Sequence, residues 1–389
     1  MTRTAPREWA DLSIIGAGCA GLSLARQLVR TEKTSGIKAC LHGPVSPAAT
    51  NRHSWGFWAT QGLKEQAKLA RQSWQKWQII TAEQKVTQTA DAHPYCRLDS
   101  REWLTHCLDI IDGHIKQEPD TLPTPGTQPI FDSRPPALPN GAMLQHFKGV
   151  EIKAARPCFS SDTAILMDFR CDQSRGIHFI YLLPYSSTEA LVESTLLSPK
   201  RQDDEFYSDA IKTYLETYWA TGGWQVCHTE QGCIPMAFVR PVNLDYLAIG
   251  ANGGCVRPSS GYAFAFIQKQ TDAIVDKLAR SGPALLTPAT LPRPISRFDL
   301  FLDGVFLHVI RHHPEQAAEL FTRIASALSG DEFARFMSGL ADFKIYAKLI
   351  TAMPIGLFLA ALWNVHMMGR DHADKNNLSK ADVSNRDKE

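Results

Sequence analysis

Glu193 lies near the middle of TEALVESTLL, Thr188 to Leu197, among apolar and β-branched residues. The turn residues PYSS just upstream make this run read as a strand. A lone carboxylate buried in an apolar sheet is costly, and it usually responds by taking up a proton. A carboxyl that stays protonated near neutral pH can act as an acid. The other reading is a strand residue on a wet face. Alternation puts Leu191 and Thr195 on the side of Glu193, and Val192 and Ser194 on the other, which admits both readings.

The second pattern with chemical content is glycine. Gly16, Gly18 and Gly21 spell G-x-G-x-x-G between the apolar run Ser13 to Ile15 and a helical repeat of Leu22, Leu24, Ala25, Leu28 and Val29. In that context the glycines permit a tight turn, a close approach of backbone to a pyrophosphate, and close helix–strand packing. Gly250, Gly253, Gly254 and Gly261 follow a second strand, and a helix starting near Ser260 would aim more N–H groups at the same pyrophosphate. Two such elements far apart in the chain point to FAD with a sheet domain inserted between them. The acidic residue that usually ends the second strand is missing; His42 or Gly43 stands there. Asp132 and Arg134 either pair at the surface or face the cofactor. Arg257 either approaches phosphate or sits in a solvated loop. Trp55, Phe57 and Trp58 either pack a core or line a pocket, and Glu230 is either a hairpin residue or pocket lining.

These residues need elements to hold them. IKACLHG reads as the second strand of the glycine-bearing unit. GVEIKA, DTAILMDFR, the hairpin IHFIYLLPYSSTEALVESTLL and EQGCIPMAFVR make the middle of the chain β-rich. From about Pro294 onward the periodicity is helical. The expected fold is α/β: a Rossmann-like FAD-binding domain, an inserted antiparallel β-sheet substrate domain, and a C-terminal helical region. The FAD-binding domain takes residues 1–60, 100–142 and 241–290, and the substrate-binding domain 61–99 and 143–240. Residues 291–368 form the helical region, and 369–389 a polar, disordered tail.

The chain has 389 residues, 44% hydrophobic and 21% charged, with a net charge of +1 and no dense basic stripe, so nucleic acid is not an expected partner. Nine cysteines stand singly, with no CxxC pair and no metal-spaced histidines, so no metal site is expected. MTRTAPREWADL does not read as a signal peptide, which favours reduced cytosolic thiols. No run reaches the roughly 18–20 apolar residues of a membrane span. LITAMPIGLFLAALWNV, Leu349 to Val365, is broken by Thr351, Pro354 and Gly356. It is either a buried helix or a surface helix that dips into a bilayer.

From Asp11 to Leu362 the chain resembles the bacterial lycopene β-cyclases, flavoproteins of carotenoid synthesis. The motifs run in order: IIGAGCAGLSLA, NRHSWGFW (Asn51 to Trp58), FDSRP (Phe131 to Pro135), LQHFKGVEI (Leu144 to Ile152) and MDF (Met167 to Phe169). FIYLLPYSSTEALVEST (Phe179 to Thr195), EQGCIPM (Glu230 to Met236), GANGGCVRPSSGY (Gly250 to Tyr262) and RFDLFLDGVFL (Arg297 to Leu307) complete them. The resemblance implies conversion of the ψ ends of lycopene to β-ionone rings, giving γ-carotene and β-carotene. It implies an isomerisation without net redox change that nevertheless needs reduced FAD, with NAD(P)H as reductant. It makes Glu193 the key acid of an apolar-Glu-acidic-Thr motif in which Ser194 replaces the second acid. It assigns cofactor contacts to Gly16, Gly18, Gly21, Asp132, Gly250, Gly253, Gly254 and Gly261, and a substrate pocket to Trp55, Phe57, Trp58 and Tyr262.

Protonating an alkene demands an acid that is neutral at pH 7, stabilisation of a carbocation without a nucleophile, and exclusion of water. A bilayer-dwelling polyene further implies a cytoplasmic enzyme held peripherally at the inner membrane, with the 349–365 segment at the entry face and other carotenoid-pathway enzymes as partners. Two rival readings stand beside this one. One is an FAD-dependent hydroxylase or isoprenoid reductase acting on a lipophilic substrate; the other is a non-catalytic carotenoid-binding flavoprotein.

Overall fold

The computed structural model describes residues 10–44, 52–123, 126 and 128–362. The polar tail from 369, the N-terminal residues through 9 and the end of the 349–365 segment lie outside the described residues.

A parallel sheet of five strands carries the first glycine motif. Its strands are β1 (Leu12–Ile15), β2 (Ala39–His42), β8 (Lys116–Glu118), β9 (Ile130–Asp132) and β15 (Leu247–Ala248), in the order β15-β9-β1-β2-β8. Leu12, Ile14, Ala39 and Leu41 share one core with helices α1 (Cys19–Arg30), α3 (Ser100–Ile111) and α5 (Phe264–Ser281). The last strand comes from a point more than a hundred residues beyond β9, so the middle of the chain is an insertion, as expected.

That insertion supplies five strands of a seven-stranded sheet, and the stretch between β2 and β8 supplies the other two. The strands are β5 (Lys76–Ile80), β6 (Lys85–Thr89), β10 (Met143–Ala154), β11 (Thr163–Asp168), β12 (Ile177–Pro184), β13 (Glu189–Ser198) and β14 (Trp224–Met236). The order is β14-β10-β13-β12-β11-β5-β6, antiparallel except for the β11–β5 pair. One face packs Val150, Ile152, Ile180, Leu182 and Val192 under helix α4 (Asp204–Tyr218). The other packs Leu166, Phe179, Leu183, Leu191 and Leu197 into a core shared with the C-terminal helices. These are α6 (Arg297–His312), α7 (Ala317–Ala327), α8 (Gly330–Met337) and α9 (Phe343–Ala352), followed by a short helix α10 (Ile355–Leu362).

A small antiparallel sheet, β3 (Ser54–Trp58), β7 (Tyr95–Asp99) and β4 (Gln72–Trp74), contributes side chains to the parallel-sheet core and to the core shared with the C-terminal helices. The helix α2 (Lys64–Ala67) precedes β4. The small sheet joins residues on both sides of position 60, where the sequence placed a domain boundary.

Candidate active site

The first turn of the parallel sheet is built for backbone contact with a ligand. A Cβ on Gly21 would lie 1.9 Å from the Gly16 carbonyl oxygen, so only glycine lets α1 start this close to β1. A Cβ on Gly18 would meet nothing within 4 Å, which leaves open space beside the helix start. No side chain caps α1 or α5, so the N–H groups at both starts remain available. On the second turn, Gly250 has φ +64 and its missing Cβ would lie 2.5 Å from the Ala20 side chain, which locks the two turns together. These features fit the pyrophosphate of a dinucleotide held between two helix starts.

Cys19 and the stretch Ser260 to Phe264 also line a cavity of about 250 Å³. Its far wall is the large sheet: Gln145 and Phe147 from β10, Tyr181 and Leu183 from β12, Leu191 and Glu193 from β13, and Ile234 from β14. Its floor is the small sheet, with Ser54, Trp55 and Gly56 from β3 and Tyr95 and Arg97 from β7.

Glu193 faces this cavity. Burial and the nearby Glu230 carboxyl push its pKa up to about 8, opposed by a 2.7 Å hydrogen bond from the Thr195 hydroxyl. Thr195 shares its face, as alternation predicted. Tyr95, Tyr181 and Tyr262 stand around Glu193, and burial raises all three phenols above their ordinary range. The Tyr262 hydroxyl donates to the Tyr95 hydroxyl at 3.3 Å. The pocket therefore combines a neutral acid with neutral aromatic faces.

A second cavity of about 320 Å³ shares Tyr181, Ser260 and Tyr262 with the first. Its walls are otherwise almost wholly apolar, from Leu166 and Met167 of the sheet to Phe306, Phe321 and Phe336 of the helices. Phe301, Ile350, Ile355 and Leu359 line it and are also exposed, so it opens through an apolar surface.

Residues 11–109 and 126–359 match the family model described as lycopene cyclase protein. The chain belongs to this lycopene cyclase family. A lycopene beta-cyclase of Pantoea ananas is 24% identical over 383 residues, spanning 90% of this chain and 97% of the relative. One from Paracoccus sp. (strain N81106 / MBIC 01143) is 30% identical over 223 residues, 54% of this chain and 56% of that protein. Among solved structures, a flavin-dependent brominase superposes with a TM-score of 0.59 at 12% identity, covering 92% of this chain and 99% of that one. A geranylgeranyl bacteriochlorophyll reductase-like protein of Thermoplasma acidophilum gives 0.56 at 10% identity, covering 88% and 96%. The likeness to these two is one of fold.

Within the family frame, the structure sorts the residues read from sequence. Trp55 and Tyr262 line the acid pocket, with Trp55 stacked on Phe264 at 5.8 Å. Phe57 and Trp58 do not line either cavity. Phe57 packs on Phe264 in the parallel-sheet core, and Trp58 packs among Trp77, Tyr95 and Phe333. Strand alternation alone would separate Phe57 from Trp58; the deep burial of both comes from helices covering each side of β3.

Asp132, expected at the cofactor, is buried, and both its carboxylate oxygens accept from Arg134, at 2.9 and 2.8 Å. Its backbone carbonyl accepts from Ile249 and Asn252, so it ties the second glycine turn to the sheet. Arg257 neither reaches toward a phosphate nor lies in solvent. It is 1% exposed and binds Asp303, with Asp299 at 3.8 Å and the Phe336 carbonyl completing its surroundings. The helix after the second turn begins at Phe264 rather than near Ser260. His42 does end β2, but its ring bonds Thr121 and Ser13. Cys40, His42 and Glu118 bring donor atoms within 4.8 Å of one another there, a grouping that chain spacing did not reveal.

Ser194 stands on the opposite face from Glu193, under α4, where its hydroxyl pairs with His178 Nε2 at 2.8 Å. Its side chain is thus outside the acid pocket. The sequence reading missed Arg97, which is fully buried in the pocket floor and binds Ser54 and Glu151. Arg52 and Arg71 bind the same Glu151. These partners lie far apart in the chain, and no local spacing links them.

Proposed function

We propose that the protein is a lycopene β-cyclase in which Glu193 protonates a terminal double bond of lycopene. The observation that carries this reading is a buried carboxyl, facing a cavity walled by tyrosines and tryptophan, whose pKa is pushed up to about 8. At neutral pH such a group is mostly protonated. It gives its proton to the alkene carbon; the neighbouring double bond attacks the resulting cation and closes the ring. A proton then leaves the carbon beside the new cation and returns to a carboxylate, so atoms and charge balance without net redox.

The phenols of Tyr95, Tyr181 and Tyr262 present ring faces to a cation and, being un-ionised, offer no anion to trap it. The apolar cavity keeps water from the cation. Its volume is near the lower limit for enclosing a drug-sized ligand. It therefore suits one end of a long polyene. We assign the dinucleotide cradle to FAD, held through Gly16, Gly18, Gly21 and the turn from Gly250 to Gly261. When bound in reduced form, FAD would supply an electron-rich ring that could stabilise the cation. NAD(P)H is the proposed reductant.

The substrate's residence in lipid leads us to place the protein peripherally at the inner membrane, on the apolar surface where the larger cavity opens. The test is expression of Glu193→Gln in a lycopene-producing host. Wild type turns lycopene into cyclic product and the variant leaves it unchanged. Undiminished β-carotene with the variant would refute the acid role. Consumption of one NAD(P)H per product would instead favour an FAD-dependent oxidoreductase on the same fold.

A further inference from the structure

The large sheet places four residues on one rung of a single face. Tyr181 on β12 is opposite Glu193 on β13, Glu193 is opposite Gly149 on β10, and Gly149 is opposite Glu230 on β14. Gly149 leaves a gap between the two glutamates. A Cβ there would meet the Leu191 Cδ1 and the Glu230 Cγ at 3.2 Å, and the Glu230 Oε1 at 3.4 Å. Glu230 thus leans over the missing side chain toward Glu193. It is 4% exposed; its Oε2 accepts from the Ser54 N–H at 2.6 Å, and its Oε1 has no hydrogen-bond partner.

We propose that Glu230 is a positioning residue for the acid: it carries the negative charge of a two-carboxylate pair across the Gly149 gap and so keeps the proton on Glu193. This rests on the acid role assigned to Glu193 above. The groups around the pair divide unequally. Burial raises the Glu230 pKa above its usual value too, but the Ser54 N–H, the Arg97 guanidinium on β7 and His53 ahead of β3 oppose that rise and favour its anion. Glu193 has only the Thr195 hydroxyl on that side of the balance, and no cation among the groups that shift it. The phenols of Tyr95 on β7, Tyr181 on β12 and Tyr262 ahead of α5 face Glu193 and are neutral. Tyr185, at the end of β12, lies toward Glu230 and is neutral as well. Glu151, one pleat along on β10, is neutralised by Arg52, Arg71 and Arg97. Two like charges in one buried site are disfavoured, so one carboxyl ionises and the other does not. The backbone donor and the cations lie on the Glu230 side, which puts the charge there.

Glu230→Gln keeps the shape and the acceptor for Ser54 while removing the charge. In the flavin-loaded enzyme, its alkaline limb of activity is expected to move down by about one pH unit or more. Glu230→Asp, which keeps the charge, should restore part of that shift. A profile for Glu230→Gln that superimposes on wild type would overturn the proposal. A second measurement does not depend on turnover. The infrared band of a protonated carboxyl should vanish in Glu193→Gln, whereas in Glu230→Gln it should remain at low pH but titrate away at a lower pH than in wild type. Its survival in Glu193→Gln would place the proton on Glu230 and overturn the proposal even if Glu230→Gln fails to load flavin. If the bands behave as expected but Glu193→Gln still cyclises lycopene, the pair is right and the function assigned to it is wrong.

Discussion

Glu193 holds its proton at the expense of the fold. Its pKa is pushed from the usual 4.5 to about 8 by burial and by Glu230. Between those values the unfolded chain binds fewer protons at this position than the native protein, so this group makes stability fall as pH rises. Below pH 4.5 the carboxyl is protonated in both states and the penalty is absent. Glu193→Gln should therefore be more stable than wild type at pH 8, and the gain should shrink toward pH 5. Urea unfolding at the two pH values checks this; an equal effect at both would mean the acid is not neutral when folded. The Glu193 environment was partly legible in sequence, because alternation within one strand assigned Leu191 and Thr195 to its face. Glu230 was not. Its approach depends on the register of two antiparallel pairings across β10, and register is a tertiary fact. Ser194 illustrates the same alternation in reverse: a period of two sends it to α4, so restoring an acid there would add charge beside His178, not in the pocket. Ser194→Asp should change the stability of the α4 face while leaving the pH limb of Glu193 in place, as measured by unfolding alongside a pH–rate profile.

At the scale of elements, the second glycine turn has two tasks. One side meets Ala20 and the start of α1. The other sends Arg257 into the helical region, where it binds Asp303 and Phe336 of α6 and α8, while Ser259 also donates to Asp303 at 2.7 Å. Asp299 extends the link to Tyr346 of α9. The helices that wall the larger cavity are thus tied to the dinucleotide cradle by one buried cation. Removing one partner of such a group leaves the other charges buried and uncompensated. Arg257→Met should cost about 3–5 kcal/mol of unfolding free energy, read from denaturant midpoints at constant slope. A loss within a few tenths of a kcal/mol would show that the aspartates simply protonate. This tie was invisible in sequence, where an arginine in a glycine-rich turn has a phosphate as its nearest precedent. The strands of the β12–β13 hairpin and the β1–α1 unit were legible because turn residues and clean periodicity bound them. β4 to β7 and α4 escaped notice, since their apolar positions are short or irregular and their identity is set by the sheets they join.

The whole molecule explains why the apolar surface lies where it does. The acid pocket and the larger cavity share Tyr181, Ser260 and Tyr262 in their walls, and the larger cavity ends among α6, α9 and α10. Phe343 is 84% exposed and Ile355 67%, with Phe298, Ile350 and Leu359 close behind. Among the described residues no single helix is long and apolar enough to cross a membrane; α9 and α10 pass that test only as a pair bent by 107°. Under the proposed function, a bent apolar pair at the rim of a cavity suits insertion into one leaflet. Contact of this kind draws on buried apolar area, so salt should weaken it little. The protein is expected to sediment with neutral phosphatidylcholine vesicles in both low and high salt. Replacing Phe343 and Ile355 together with serine removes two side chains, each worth about 1.5–3 kcal/mol when fully buried. Even partial burial of both predicts at least a tenfold fall in vesicle binding, while flavin binding, which uses the glycine turns rather than α9 and α10, should stand. Binding that disappears in high salt would assign the surface contact to charge instead. Equal vesicle binding by wild type and the double serine variant would remove α9 and α10 from the entry face.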